Sequence, residues 1–268
     1  MKAHISILSA MAACLAITAC TGSGKDNTDS ISFSHIKSHA TYRLAGSAAD
    51  YDAAGDLSFD CTADLLMPTA LLGHNTEVLQ DSILKAAFDT TGVNHKGIIE
   101  AAFHRAAQEV GYAVADTVVA DSAYDGLYTV AGAIESLSPT ILSYAVTISD
   151  YMPRAAHGMY NTNFVNYDLE EGKVFVLSDI FTAEGLAKLP AILKQTAASM
   201  RDYIGPTELT SLPAGNNFCV NSDNDIIFVY QPYEIASYAQ GEIRVPIAAY
   251  ILSDYFTPYG NKLLMGVE

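Results

Sequence analysis

The feature that narrows the fold most is a change of period near Asp125. Upstream of it apolar residues recur at helical spacing. Downstream they alternate, in two long runs over residues 127–137 and 140–151 that are separated only by Ser138 and Pro139. A two-residue joint is far too short for the crossover that parallel strands need, so the two runs predict an antiparallel pair. Before the change, residues 31–44 and 57–68 read as strands around a small acidic loop at 46–55, with the second strand expected to stop at Pro68. Asn75 is placed to cap a helix over 75–89, and Asn94 to cap a second over 94–114. After it, residues 161–169 and 173–177 form a hairpin across Glu170-Glu171-Gly172. A helix over 183–203 is interrupted at, ended by or started from Pro190. Three short strands follow at 217–221, 226–230 and 242–247, with a turn at Asp223-Asn224-Asp225. The expected fold is α+β: a largely antiparallel sheet with a helical hairpin inserted after the first two strands and one further helix in the C-terminal half.

The N-terminus sets the compartment. Lys2 precedes an apolar stretch that closes in Ile17-Thr18-Ala19-Cys20, so residues 1–19 read as a lipoprotein signal peptide and Cys20 as the lipidated first mature residue. Residues 20–30, polar and small, form a flexible tether. Two regions are expected beyond it, 31–150 and 151–268. Thr21, rather than an aspartate, follows Cys20, which favours the outer membrane of a bacterial cell envelope over retention in the inner one.

The 268 residues carry a formal charge of −16; losing residues 1–19, which hold Lys2 and no acid, would make it −17. Such a charge argues against nucleic acid as a partner and for a cationic one. No Lys or Arg lies between Arg105 and Arg154, or between Arg201 and Arg244. The first gap holds Glu109, Asp116, Asp121, Asp125, Glu135 and Asp150; the second holds Asp202, Glu208, Asp223, Asp225, Glu234 and Glu242. If the two stretches share a face, they form an acidic docking field.

Chemistry-bearing motifs are sparse. There is no GxSxG elbow, P-loop, HExxH or GxGxxG leading into a helix, so neither an enzyme nor a cofactor is expected. His35 and His39 share a strand face without a nearby third ligand, and the calcium-loop count from Asp223 fails because Phe228 stands where glycine is required. Cys61 and Cys219 could form a disulfide in an oxidising compartment, or be two buried small hydrophobes. Pro232, Tyr233, Tyr238 and Gly241 combine aromatic area with turn formers, which suits a protein-binding loop, although Tyr233 and Tyr238 could equally brace it against the sheet. His157 could be a ligand, a base or a hydrogen-bonded turn histidine.

Two segments carry a family likeness. Ala156-His157-Gly158, Asn166-Tyr167-Asp168-Leu169, Gly172-Lys173 and Leu177-Ser178-Asp179-Ile180-Phe181 come first. Ile227 to Tyr230, Pro232 to Gly241 and Val245-Pro246-Ile247 follow about 70 residues later. Together they resemble the RsiV-type extracytoplasmic domain, which is shared by lysozyme-sensing anti-sigma factors and the non-catalytic front region of some peptidoglycan deacetylases. The resemblance implies a binding domain whose partner is a cationic extracellular protein such as lysozyme, with Tyr233, Glu234, Tyr238 and His157 as contact residues. Ala155 and Ser237 depart from the family's glycine and proline. The alternatives are a hydrolase of cell-wall glycans using carboxylates and His157, or a non-catalytic scaffold of the envelope.

Overall fold

The computed structural model describes residues 30–44, 57–115, 126–152, 155–200 and 212–267; the expected leader, Cys20 and nearly all of the tether lie outside the described residues. The described chain is an α+β structure. Six strands form one sheet in sequence order: β1 (Ile31–Leu44), β2 (Leu57–Leu71), β3 (Gly126–Leu137), β4 (Ile141–Tyr151), β5 (Met159–Asp168) and β6 (Lys173–Phe175). Every neighbouring pair is antiparallel except β2 and β3, which are parallel. That exception follows from the helical hairpin between them, α1 (Glu77–Phe88) and α2 (His95–Ala115), which returns the chain to the end of the sheet where β2 began. Asn94 caps α2 by accepting from the Gly97 amide at 3.1 Å, and at α1, whose N-cap is Thr76, Asn75 one residue earlier accepts from the Glu77 amide at 3.0 Å.

Alternation decides what each face of the sheet meets. Phe59, Cys61, Ala63, Leu65 and Met67 of β2 are buried under the hairpin with Leu79 and Ile83 of α1 and Ile99 and Phe103 of α2. On the opposite face, Ser143 and Asn166 are paired across β4 and β5 and meet a second, three-stranded sheet: β7 (Phe218–Val220), β8 (Ile226–Tyr230) and β9 (Ile243–Ile247). This sheet contributes Phe218, Phe228, Val245 and Ile247 to a second core, closed by α3 (Leu177–Ile180), α4 (Ala183–Ser199), α5 (Ala249–Leu252) and α6 (Pro258–Met265).

The join between the sheets is a set of buried hydrogen bonds. The edge of β7 that does not pair with β8 lies on the main sheet. The Asn166 side-chain amide donates to the Phe218 carbonyl at 2.8 Å, the Val220 amide donates to the Ser143 hydroxyl at 2.9 Å, and the Ser136 hydroxyl donates to the Val220 carbonyl. Ser143 in turn donates to Asn166 at 2.6 Å. A strand edge buried without partners would leave each amide and carbonyl desolvated, which costs about 1–3 kcal/mol per group.

The residues behind the family likeness sit beside this join. Asp168, nearly inaccessible, accepts from the Glu170 and Glu171 amides at 2.8 and 2.9 Å and from the Tyr259 hydroxyl at 2.9 Å, so one carboxylate fixes the β5–β6 turn and tethers α6. Lys173 lies 3.8 Å from the centre of the Tyr259 ring. Gly172 takes φ +67°, and a Cβ there would stand 2.4 Å from Nδ1 of His74, so both its conformation and its neighbour require glycine.

Two expectations need correction. Pro68 does not end β2, which continues to Leu71; a register shift opposite Ser32 and Phe33 lets the strand absorb the proline. Pro190 neither breaks nor starts α4 but lies inside it, and its carbonyl accepts the Leu212 amide at 3.0 Å. Of the two readings left open for Cys61 and Cys219, the structure shows the unbridged one: both are free and buried, one beneath the helical hairpin and the other in the second sheet. The C-terminal half also holds more helix than the single segment expected. α6 carries the signals that would have revealed it, with Thr257 capping the Gly260 amide at 3.0 Å, Pro258 at the first helical position and Gly266 just past the end.

Two outcomes follow. Asn166→Ala, which strips partners from Ser143 and the Phe218 carbonyl, should lower unfolding free energy by about 2–4 kcal/mol in urea titration. Burial pushes the Cys61 thiol up to about 11 and the Cys219 thiol up to about 12. Both thiols of a chain starting at residue 21 should therefore resist alkylation at pH 8 when native and react in denaturant. Because these values are raised on folding, the protection is complete below the unfolded value near 9 and stability should fall as pH rises from about 9 towards 12.

Candidate functional site

The site is built at the end of the sheet where β4 gives way to β5. The β4–β5 connection is folded back on itself, with the Ala155 amide donating to the Met152 carbonyl at 3.0 Å and the Tyr151 hydroxyl donating to the Ala155 carbonyl at 2.8 Å. This lifts His157 into solvent. The second component, the loop from Gln231 to Gly241, arrives from the other sheet. Gln231 positions it: above the short β6 the edge of β5 is unpaired, and the Gln231 side chain fills it as a strand would. Its Nε2 donates to the Thr162 carbonyl at 2.7 Å and its Oε1 accepts the Thr162 amide at 2.9 Å. Asn217 donates to the same carbonyl at 3.0 Å, and the Glu242 amide donates to the Tyr160 hydroxyl at 3.1 Å, which secures the loop at its far end. Pro232 and Ile235 are buried beneath the loop.

So held, the loop sets two tyrosines against His157. The Tyr238 ring stacks on the imidazole with centroids 4.1 Å apart and planes 21° apart, and the Tyr233 ring lies 5.6 Å from Tyr238. With Nδ1 carrying the proton, His157 donates to the Gly158 carbonyl at 3.0 Å, and its Nε2 accepts from the Tyr233 hydroxyl at 3.3 Å. Tyr233 is 57% exposed and takes φ +70°, a left-handed conformation that disfavours a side chain this bulky by about 1–2 kcal/mol.

Of the four residues singled out in the loop and turn, three therefore form one contiguous surface. Glu234 has a different part. Its carboxylate accepts the Gln231 amide at 2.8 Å while its own amide donates to the Gln231 carbonyl at 3.0 Å, so it locks the turn that displays Tyr233. Gln231, Asn217 and Tyr160 were not legible as site residues, because their roles depend on an unpaired strand edge contributed by a distant segment.

Among the described residues the two base-free stretches meet at an ion-paired arginine. Glu135 of β3 and Glu242 beside β9 both pair with Arg244, the latter at 2.6 Å, and the guanidinium also lies over the Phe164 ring at 5.5 Å. Asp150 is on the hairpin side of the sheet, opposite Tyr128 in register, and burial raises its pKa. Asp116, Asp121, Asp125, Asp202 and Glu208 lie outside the described residues. Near the edge strand, His35 and Lys37 are engaged by Asp64 at 2.6 and 2.9 Å.

Comparison with known proteins places this architecture. A family model described as a protein of unknown function, DUF3298, matches residues 178–249, a span that includes β7 to β9 and the Tyr233–Tyr238 loop but not His157. The fold is similar to the crystal structure of a DUF3298 family member from Bacteroides fragilis NCTC 9343, with a TM-score of 0.69 at 19% identity, over 87% of this chain and 96% of that one. It is also similar to a DUF3298 family protein from Pseudomonas aeruginosa PAO1, with a TM-score of 0.53 at 13% identity, over 87% of this chain and 97% of that one. At these identities the likeness is one of fold. No curated protein matches the chain.

Tyr233→Gly separates display from bracing. Relief of the left-handed backbone offsets the lost ring contacts, so thermal unfolding should show stability within about 1 kcal/mol of the parent. A loss above about 2 kcal/mol would show the ring to be a structural brace.

Proposed function

We propose that the chain is a lipid-anchored extracytoplasmic binding protein of the bacterial envelope, held at the outer membrane through Cys20, which presents His157, Tyr233 and Tyr238 to a cationic protein. The cluster carries this reading: three mutually packed rings, one of them strained and largely exposed, two of them on a loop pinned by part-buried hydrogen bonds. Rigid tyrosines supply contact area with little side-chain entropy to lose, and their faces accept Arg or Lys side chains. The partners of His157 are a carbonyl and a phenol rather than a carboxylate, which suits recognition better than the base of a hydrolase. The chain's charge of −16 speeds encounter with a basic partner even though Glu135 and Glu242 are spent on Arg244. The RsiV-like motifs make lysozyme the first partner to try; the loop motif lies within the segment matched by the family of unknown function.

The test is titration of the domain from residue 21 with lysozyme at low and moderate salt. The expected outcome is a complex of micromolar affinity or better that weakens with salt, and that Tyr238→Ala weakens about tenfold or more. No salt-sensitive complex at micromolar concentrations removes lysozyme. A complex indifferent to Tyr238→Ala removes the cluster as its contact.

A further inference from the structure

Strand register places the two ends of the main sheet in different company. At one end lie Ser30, where the described chain begins, the β2–α1 connection and the β5–β6 turn. The Leu72 amide donates to the Ser30 carbonyl at 2.9 Å, and His74 and the Leu169 carbonyl are in contact at 3.0 Å. At the other end lie Tyr151, Met159 and, between them, His157. β5 runs the full height, and its ten residues put Met159 about 30 Å from Asp168.

We infer that the Ser30 end of the sheet rests against the lipid surface and that the His157–Tyr233–Tyr238 cluster faces away from it. This rests on the reading of Cys20 as lipidated. Ten residues, 20–29, precede Ser30. Fully extended they reach about 36 Å, and as a flexible chain they average about 16–19 Å. Turning the cluster toward the bilayer would carry Ser30 outward by the height of the sheet and stretch the tether close to its full length. The surface at the Ser30 end is also suited to contact with lipid. Leu72, at φ +49°, and Val78 are exposed aliphatic side chains flanking the β2–α1 connection. The carboxylates of Glu170 and Glu171 are met by Lys173 and Lys262, so at this turn among the described residues the acids are paired, which weakens the repulsion from anionic headgroups that a charge of −16 would otherwise impose. The arrangement leaves the aromatic cluster accessible to a protein arriving from the aqueous side.

The experiment uses the full-length lipoprotein in phosphatidylethanolamine–phosphatidylglycerol vesicles that contain a headgroup-nitroxide lipid. An environment-sensitive fluorophore is attached to Leu72→Cys or, separately, to Ala156→Cys beside the cluster. Quenching at residue 72 should exceed that at residue 156 by threefold or more, and a twenty-residue Gly/Ser insertion after Gly24 should reduce the difference. Failure to float with vesicles overturns the lipid anchor, and the orientation with it. Flotation with equal quenching at the two positions, or stronger quenching at 156, overturns the orientation alone. So does shielding of residue 72 that persists without vesicles and grows with protein concentration, the result expected if a second copy covers this end.

Discussion

The architecture depends on a buried strand edge. β7 is only three residues long, and the side that does not face β8 is pressed onto the main sheet, where no backbone can reach it. Ser143, Asn166 and Ser136 supply the missing partners from side chains. Satisfied in this way, the edge fixes where the second sheet sits, and with it the second core of Phe218, Phe228, Leu189 and Leu193. A hydrophobic join would have allowed sliding; directional bonds to named carbonyls allow one register.

The same device is repeated at the solvent-exposed end of β5, and there it serves display. Gln231 imitates a strand residue against Thr162 and begins the loop that carries both tyrosines. The loop holds both rings against His157, and Tyr233 tolerates its left-handed backbone because Gln231 and Glu234 close the turn on either side of it. Asp168 extends the logic to the C-terminal helix through Tyr259, whose hydroxyl is pushed well above its ordinary range first by burial and then by its bond to that carboxylate. The motif that spans Asn166 to Lys173 is therefore architectural, and the motif from Pro232 to Gly241 is the part that meets solvent.

Local chemistry was legible wherever its partner lay nearby in sequence. Asn94 caps the helix it was expected to cap, Asn75 accepts an amide of the first turn of α1 from one position before the cap, and Gly172 turns the β5–β6 connection. The prolines misled because their tolerance is a tertiary matter: a bulge accommodates Pro68, and a long helix packed on a core carries Pro190. The grouping of His157 with Tyr233 and Tyr238 was suggested only by likeness to a family, since nothing in the spacing of residues 157, 233 and 238 brings them together. The acidic stretches were visible as charge, yet the pairing of Glu135 and Glu242 with one arginine was not, because Glu135 and Arg244 meet through two different sheets.

The amino-acid sequence by itself determined the strands and the longer helices, the antiparallel β3–β4 hairpin, the helical pair that makes β2 and β3 parallel, and a strongly acidic chain. These rest on periodicity, caps and turn residues that act within a few positions of themselves. Only the tertiary structure decided that two sheets meet edge to face, that the cysteines stay apart, and that a histidine and two tyrosines 76 and 81 residues away become one surface. Each of those outcomes depends on backbone groups left unpaired by one segment and satisfied by another, a balance that no local pattern records.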